Sequence, residues 1–232
     1  MDEHEGPQES AAVVPVLTAP DEITADQRLV RGARTRHKIA RRAVDIASLE
    51  GLNGLSIGRL AADLELSKSG IQTLFKTKEN LQLAAAEMAL HEFTEAVIRP
   101  ALTAPVGAAR LRALTERWTV YAETPLFVGG CFWAANLPDF DSRPGKVRDT
   151  LLLHHNAWLA RLADELRHAV DAGEIAELDP ELTAFHIDAV LTAANTAMRL
   201  GDPDAAAKVR RIVNGLLAPA DEQPPANGAG QR

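Results

Sequence analysis

The side chains whose type and spacing can do chemistry fall into two groups. In the first, Ser67, Lys68, Ser69, Gly70, Gln72 and Thr73 crowd one short span, with Lys78 shortly after and Ser56 before. Hydroxyl, amide and ammonium donors in such a span suit phosphate oxygens and base edges. Lys68 and Ser69 would stand at the N-terminal end of a helix, where side chains reach base edges, and Gly70 leaves room for close approach. Gln72 and Thr73 lie one turn on and suit phosphate. Lys78 opens the next helix, whose N-terminal amides also attract phosphate. Ser56 and Ser67 read first as N-caps, a role compatible with phosphate contact.

The second group is aromatic. Trp118, Tyr121, Phe127, Phe132, Trp133 and Trp158 make up six of the ten aromatic residues. Aromatics at helical spacing suit a plain core, but their concentration beside Gly129-Gly130, with His154, His155 and Asn156 close in sequence, points to a largely apolar cavity with a few polar groups. The expected lining is Trp118, Tyr121, Phe127, Cys131, Phe132, His155 and Trp158. No clear cluster of positive charge accompanies it, which favours a hydrophobic or aromatic ligand over an anionic one. Cys131 with His154 or His155 would suit a thiol nucleophile and base, yet no local signature marks a catalytic cysteine, and a buried thiol is more ordinary. His154 and His155 point about 100° apart on a helix, and His91 and His186 stand alone, so no metal site is expected. No catalytic residue and no cofactor is expected either.

Helices must position both groups. In SIGRLAADLELSKSGIQTLFKTKENL (Ser56 to Leu81), Ile57, Leu60, Ala61 and Leu64 recur at helical spacing, and Ser67 caps a second short helix carrying Ile71, Leu74 and Phe75. Two short helices joined by a tight turn form a helix-turn-helix, whose second helix enters the DNA major groove. A preceding helix places Ile39, Ala43, Ile46 and Ala47 on one face and stops at Gly51. The basic arm before it, Arg28, Arg31 and Arg34, reaches a minor groove or covers phosphates; a solvated basic face is the plainer reading.

Further helices are expected over 79–99 (ended by Pro100), 106–123, a short one in 131–135, then 146–172, 180–200 and 203–217, with a polar turn over 139–145. The fold class is therefore all-α. Residues 1–25 and 218–232 read as disordered, 26–80 as the helix-turn-helix domain and 81–217 as a helical body. There is no internal repeat.

The net charge of −7 is unevenly spread: residues 26–80 hold eleven Lys/Arg against six Asp/Glu, a local +5, leaving −12 for the remainder. Positive charge thus gathers on the helix-turn-helix. No apolar run is long enough to span a bilayer, so no membrane partner is expected. The acidic N-terminus lacks the basic segment of a secretory signal, and a single cysteine, Cys131, fits a reducing cytoplasm.

The residues Ser56, Leu60-Ala61, Ser67-Lys68, Phe75, Thr77-Lys78-Glu79 and Leu81 resemble, in type and spacing, the DNA-binding segment of TetR-family transcriptional regulators. The resemblance covers residues 34–81 and extends through the helical body, with a weaker likeness at Gly129 to Phe132, a GGCF run that some members place after the second body helix. Two positions depart from the pattern. Glu65 replaces the turn glycine, at a cost of about 1 kcal/mol if φ is positive, so a differently built turn is expected. Gln72 replaces a phosphate-touching tyrosine.

The resemblance implies a three-helix DNA-binding head, with Arg34, Ser56, Ser67, Lys68, Ser69, Gly70, Gln72, Thr73 and Lys78 as its contact residues, and a ligand-binding and dimerisation body. It further implies a homodimeric repressor that holds a palindromic double-stranded DNA operator and leaves it when a small-molecule effector binds, with the helix from Glu79 carrying the displacement. The last two helices would form a four-helix interface about a two-fold axis. Ala189, Ala193, Ala194 and Ala197 permit close approach there, or pack within the monomer. The alternative is a DNA-binding regulator governed by a protein partner, which a body without a cavity would favour.

Overall fold

The structure, a computed structural model, describes residues 20–219. The disorder expected for 1–19 and 220–232 lies outside the described residues. All regular structure among the described residues is helical. Helix α1 runs Pro20–Glu50, beginning inside the stretch expected to be disordered to residue 25. The chain to Arg36 forms one unit and the chain from His37 another.

From His37 on, Ile39, Ala43, Ile46 and Ala47 of α1 enter a core with Leu52, Leu55, Leu60, Ile71, Phe75 and Leu81. That core fixes two short helices, α2 (Ile57–Leu64) and α3 (Lys68–Phe75). Each is capped by the serine its sequence offers: Ser56 Oγ accepts from Arg59 N–H at 3.1 Å and Ser67 Oγ from Gly70 N–H at 3.0 Å. Such caps contribute about 1 kcal/mol apiece.

The turn between α2 and α3 corrects one expectation. Glu65 adopts the left-handed conformation, φ 55° and ψ 40°, that a glycine would take. Leu66 N–H reaches Ala61 O at 2.9 Å and Glu65 N–H reaches Ala62 O at 3.4 Å, which is the Schellman pattern. The turn is therefore built in the usual way and carries the strain. A second strained residue, Lys76 (φ 64°, ψ −51°), follows α3; Thr77 N–H donates to Phe75 O at 2.7 Å across it, closing a γ-turn of the costly hand.

Helix α4 (Lys78–Phe93), capped by Thr77, was expected to end at Pro100. Instead it widens into a π turn, Thr94–Ile98, in which Arg99 N–H bonds Thr94 O, and continues through a short α5 (Arg99–Ala101). The extra residue in that turn absorbs the proline, which has no N–H to donate and whose ring would clash in an unbroken α ladder.

Helix α6 (Ala108–Glu123) has no capping side chain of its own. The Gly107 and Ala108 amides donate instead to the carboxylates of Glu165, at 2.9 Å, and Glu174, at 2.7 Å. Helix α7 (Phe132–Phe140) runs further than the short helix expected, through Pro138 and into the polar stretch. Then come α8 (Lys146–Asp171), α9 (Pro180–Arg199) and α10 (Ala205–Leu216). Helix α8 packs against α4, α6, α7 and α9, and α10 closes against α6 and α9.

The segment from Gly129 to Asn136 ties the body to the end of α1. Gly129 passes so close that a Cβ there would lie 2.0 Å from Ser48 O, and its amide donates to Ser48 Oγ at 2.9 Å. Asn136 is fully buried; its Oδ1 accepts from Leu52 N–H at 2.6 Å and its Nδ2 donates to Ala47 O at 3.2 Å and Phe132 O at 2.7 Å.

Candidate functional site

Helix α3 is two-faced. Ile71 and Phe75 are buried, while Ser67, Lys68, Ser69, Gly70, Gln72 and Thr73 are all exposed. The local order follows from capping: a Cβ on Gly70 would stand 2.9 Å from Ser67 Oγ, so glycine keeps the N-cap uncrowded. Thr73 Oγ1 donates to Ser69 O at 2.8 Å, leaving its lone pairs outward. Lys78, also exposed, is steadied by a 2.6 Å bond from Nζ to Asn53 O. Ser56 is exposed at the start of α2, and Arg34 is exposed on α1 in the unit ending at Arg36.

Charge on this face is sharper than the sequence count suggested. Arg41 pairs with Asp45, Arg42 with Asp63 and Arg59 with Glu50, at 2.5–2.8 Å. The Arg59 hydrogen bond holds the Glu50 carboxyl below its ordinary range. Those arginines are answered within the head. Lys68, Lys76 and Lys78 have no carboxylate partner among the described residues, so cations open to an outside anion stand at both ends of α3, and Arg34 and Lys38 on α1 are open in the same way.

In the body, a cavity of about 280 Å³ opens between α4, α6, α7, α8 and α9. That is near the lower end of the roughly 300–1,000 Å³ usual for small-molecule sites. Leu90 and Phe93 come from α4, and Thr94 and Ile98 from the π turn. Trp118 comes from α6, and Cys131, Trp133, Ala134, Leu137 and Pro138 from α7 and its N-cap. Helix α8 supplies His154, His155, Ala157, Trp158 and Arg161, and α9 supplies Asp188 and Thr192. All three tryptophans of the chain line it.

Of the seven residues expected there, Trp118, Cys131, His155 and Trp158 face the cavity, whereas Tyr121, Phe127 and Phe132 do not. Those three are buried in an aromatic layer behind it. Tyr121 packs edge-on to Phe93, Trp118 and Phe127, with centroids 5.4, 6.2 and 5.9 Å away. Its hydroxyl accepts from Phe132 N–H at 3.2 Å, and burial holds it well above its ordinary pKa. Phe127 packs edge-on to Phe132 and lies under the Arg41 guanidinium. Burial also pushes the Cys131 thiol up, which opposes thiolate chemistry.

Arg161, Phe93 and the π turn were not foreseen as lining. Arg161 falls seven residues after His154 and three after Trp158, so the helical spacing that placed the tryptophan also reaches the arginine. The sequence offered no clear cluster of positive charge here, and the lining holds a single arginine. Asp188 is already engaged: Oδ1 accepts from Trp158 Nε1 at 3.2 Å and Oδ2 lies 3.7 Å from His155 Nε2. Burial raises its carboxyl above the usual range, opposed by His155 and the Trp158 bond. Burial pushes the His154 imidazole down against the pull of Glu87, 3.5 Å away. Trp133 Nε1 and His154 Nδ1 find no hydrogen-bond partner among the described residues.

Two further expectations concern the outer helices and metals. Ala194 packs inward on α9, while Ala189 and Ala193 face out in line with Leu182 and Phe185, each 65% exposed. No group of three or more His, Cys, Asp or Glu residues able to hold a metal ion occurs among the described residues, and no helix there is long and apolar enough to cross a membrane.

Residues 107–213 match the family model of the tetracyclin repressor-like C-terminal domain. No curated protein matches the sequence. Among solved structures, a TetR transcriptional regulator from Chloroflexus aurantiacus is 24% identical, with a TM-score of 0.72 over 79% of this chain and 93% of that one. A TetR-family regulator from Streptomyces coelicolor is 22% identical, with a TM-score of 0.68 over 81% and 95%. AibR in complex with isovaleryl coenzyme A and operator DNA is 19% identical, with a TM-score of 0.67 over 79% and 99%.

Proposed function

We propose that this chain, which belongs to the TetR family of transcriptional regulators by its C-terminal domain and its fold, is a repressor that grips a palindromic operator as a homodimer and is released by a small ligand. The observation that carries the DNA half is α3: its apolar face is locked into the head while Lys68, Ser69, Gln72 and Thr73 stand outward on a capped helix end. In that role Lys68 and Ser69 read base edges, Gly70 permits close approach, and Gln72, Thr73, Ser56, Ser67 and Lys78 hold phosphates, with Arg34 on the flanking backbone. Residues 26–80 form the head and 81–217 the body.

The aromatic cavity supports a small-molecule effector and counts against control by a protein partner alone. The outward stripe Leu182, Phe185, Ala189 and Ala193 on α9 supports pairing of two copies, which would set two α3 helices about 34 Å apart, one turn of DNA. The ligand acts by binding one head spacing better than the other, and shifts the equilibrium only by that difference. The AibR complex, with both a ligand and operator DNA bound, is a precedent for that pairing of partners in a protein of this fold.

The test is binding of the full chain to genomic DNA fragments across a salt series. Lys68→Ala should relax sequence preference by about 1–3 kcal/mol at one base position, and Lys78→Ala should weaken all sites alike and lower the salt slope by about one. Binding without a preferred site, or variants indistinguishable from wild type, overturns the reading.

A further inference from the structure

We infer that the effector is an apolar acid, an aryl or alkyl carboxylate whose body lies among the tryptophans and whose carboxylate meets Arg161. The inference rests on the effector reading of the cavity and adds the chemical class. Of the charged groups against the cavity, Asp188 accepts from Trp158 and lies 3.7 Å from His155, and His154 lies 3.5 Å from Glu87. Arg161 is half-buried on the lining stripe of α8 and has no ion pair or hydrogen bond among the described residues. Trp133, on α7, keeps a buried indole N–H without an acceptor. Beside His154 Nδ1, the cavity therefore leaves unanswered a guanidinium and an N–H, and these two are donors. A ligand that satisfies them must present acceptors, and the guanidinium fork matches the two oxygens of a carboxylate.

The apolar walls set the rest of the molecule. Phe93, Trp118, Trp133 and Trp158 offer ring faces and edges, with Leu137 and Ile98 between them. An amine would meet an unanswered guanidinium, and a neutral alcohol would leave its charge uncompensated. Neither complements the site as a carboxylate does.

Because all three tryptophans line the cavity, their emission reports occupancy directly. The full chain is titrated at pH 7.5 with 4-alkylbenzoates from ethyl to octyl and with the matching 4-alkylbenzyl alcohols. At least one benzoate should bind tenfold or more tightly than its alcohol. Arg161→Gln should lose at least tenfold for that benzoate while holding the alcohol within about twofold, and Arg161→Lys should recover part of the loss. If alcohols bind as tightly as benzoates, or Arg161→Gln leaves the benzoate unchanged, the acid class is overturned while the effector cavity stands. If neither series binds, both are overturned.

Discussion

Replacing Asn136 with alanine should detach α7 from the end of α1. In the folded protein the buried amide makes three bonds, of which the shortest, 2.6 Å, receives the Leu52 N–H. Ala47 O keeps a second partner in Gly51 N–H at 3.0 Å, but no other acceptor serves the Leu52 amide. An orphaned buried amide costs about 1–3 kcal/mol and each of the other two bonds about 1 kcal/mol net, so the variant should lose roughly 3–5 kcal/mol. For a chain of this size that is a fall in Tm of roughly 10 °C. Asn136→Asp makes the argument sharper. Its carboxylate can still accept from Leu52, but it turns a second oxygen toward Ala47 O and Phe132 O, so the folded state favours the protonated acid. A raised folded-state pKa means stability that is present at low pH and lost as pH rises, so Asn136→Asp should recover toward wild type between about pH 8 and pH 5. Thermal unfolding followed by circular dichroism across pH reads both. A loss below about 1 kcal/mol for Asn136→Ala, or a pH-independent Asn136→Asp, would refute the reasoning.

Glu65→Gly should relieve the left-handed strain in the turn and stabilise the protein by about 0.5–1 kcal/mol, read by urea unfolding; a loss of stability would show that Glu65 makes a contribution the turn geometry does not explain. The Cys131 thiol, raised by burial, should react with iodoacetamide at pH 8 at least a hundredfold more slowly in the native protein than in urea, and equal rates would place it in solvent. His154, whose pKa burial lowers, is held neutral by the fold, so its contribution is present above its unfolded pKa of about 6.5 and is lost as pH falls below it. A wild-type stability curve that drops between pH 7 and pH 5, flattened in His154→Leu, is the expected outcome; an unchanged slope counts against it.

The head was legible because its signals are local. Serine caps, the spacing of Ile57, Leu60 and Leu64, and Gly51 each act within a turn or two of where they stand, and α2, α3 and α4 start at the capped positions. The body was legible as helices but not as a site. Tyr121, Phe127 and Phe132 are aromatic like the lining tryptophans, and only tertiary packing decides which rings face the cavity and which face the core. Phe93 sits just before a π turn, and nothing local distinguishes such a turn from a helix that simply stops at Pro100. Asn136 left no signal at all, because its partners, Ala47 and Leu52, are more than eighty residues away.

The joint between body and head includes bonds to main-chain atoms beside those of the Ser48 hydroxyl and the Arg41 guanidinium. Asn136 meets the Ala47 carbonyl and the Leu52 amide, and Gly129 rests on the Ser48 carbonyl. Main-chain groups are the same whatever residues carry them, so such a joint tolerates drift in the side chains around it. A lineage can therefore rewrite the outward face of α3 without disturbing the seat of the body, or remodel the cavity without unseating the head. The two can change their preferences on separate evolutionary clocks. A chimera should follow the same rule, accepting a foreign head wherever α1 ends at the same distance from α7.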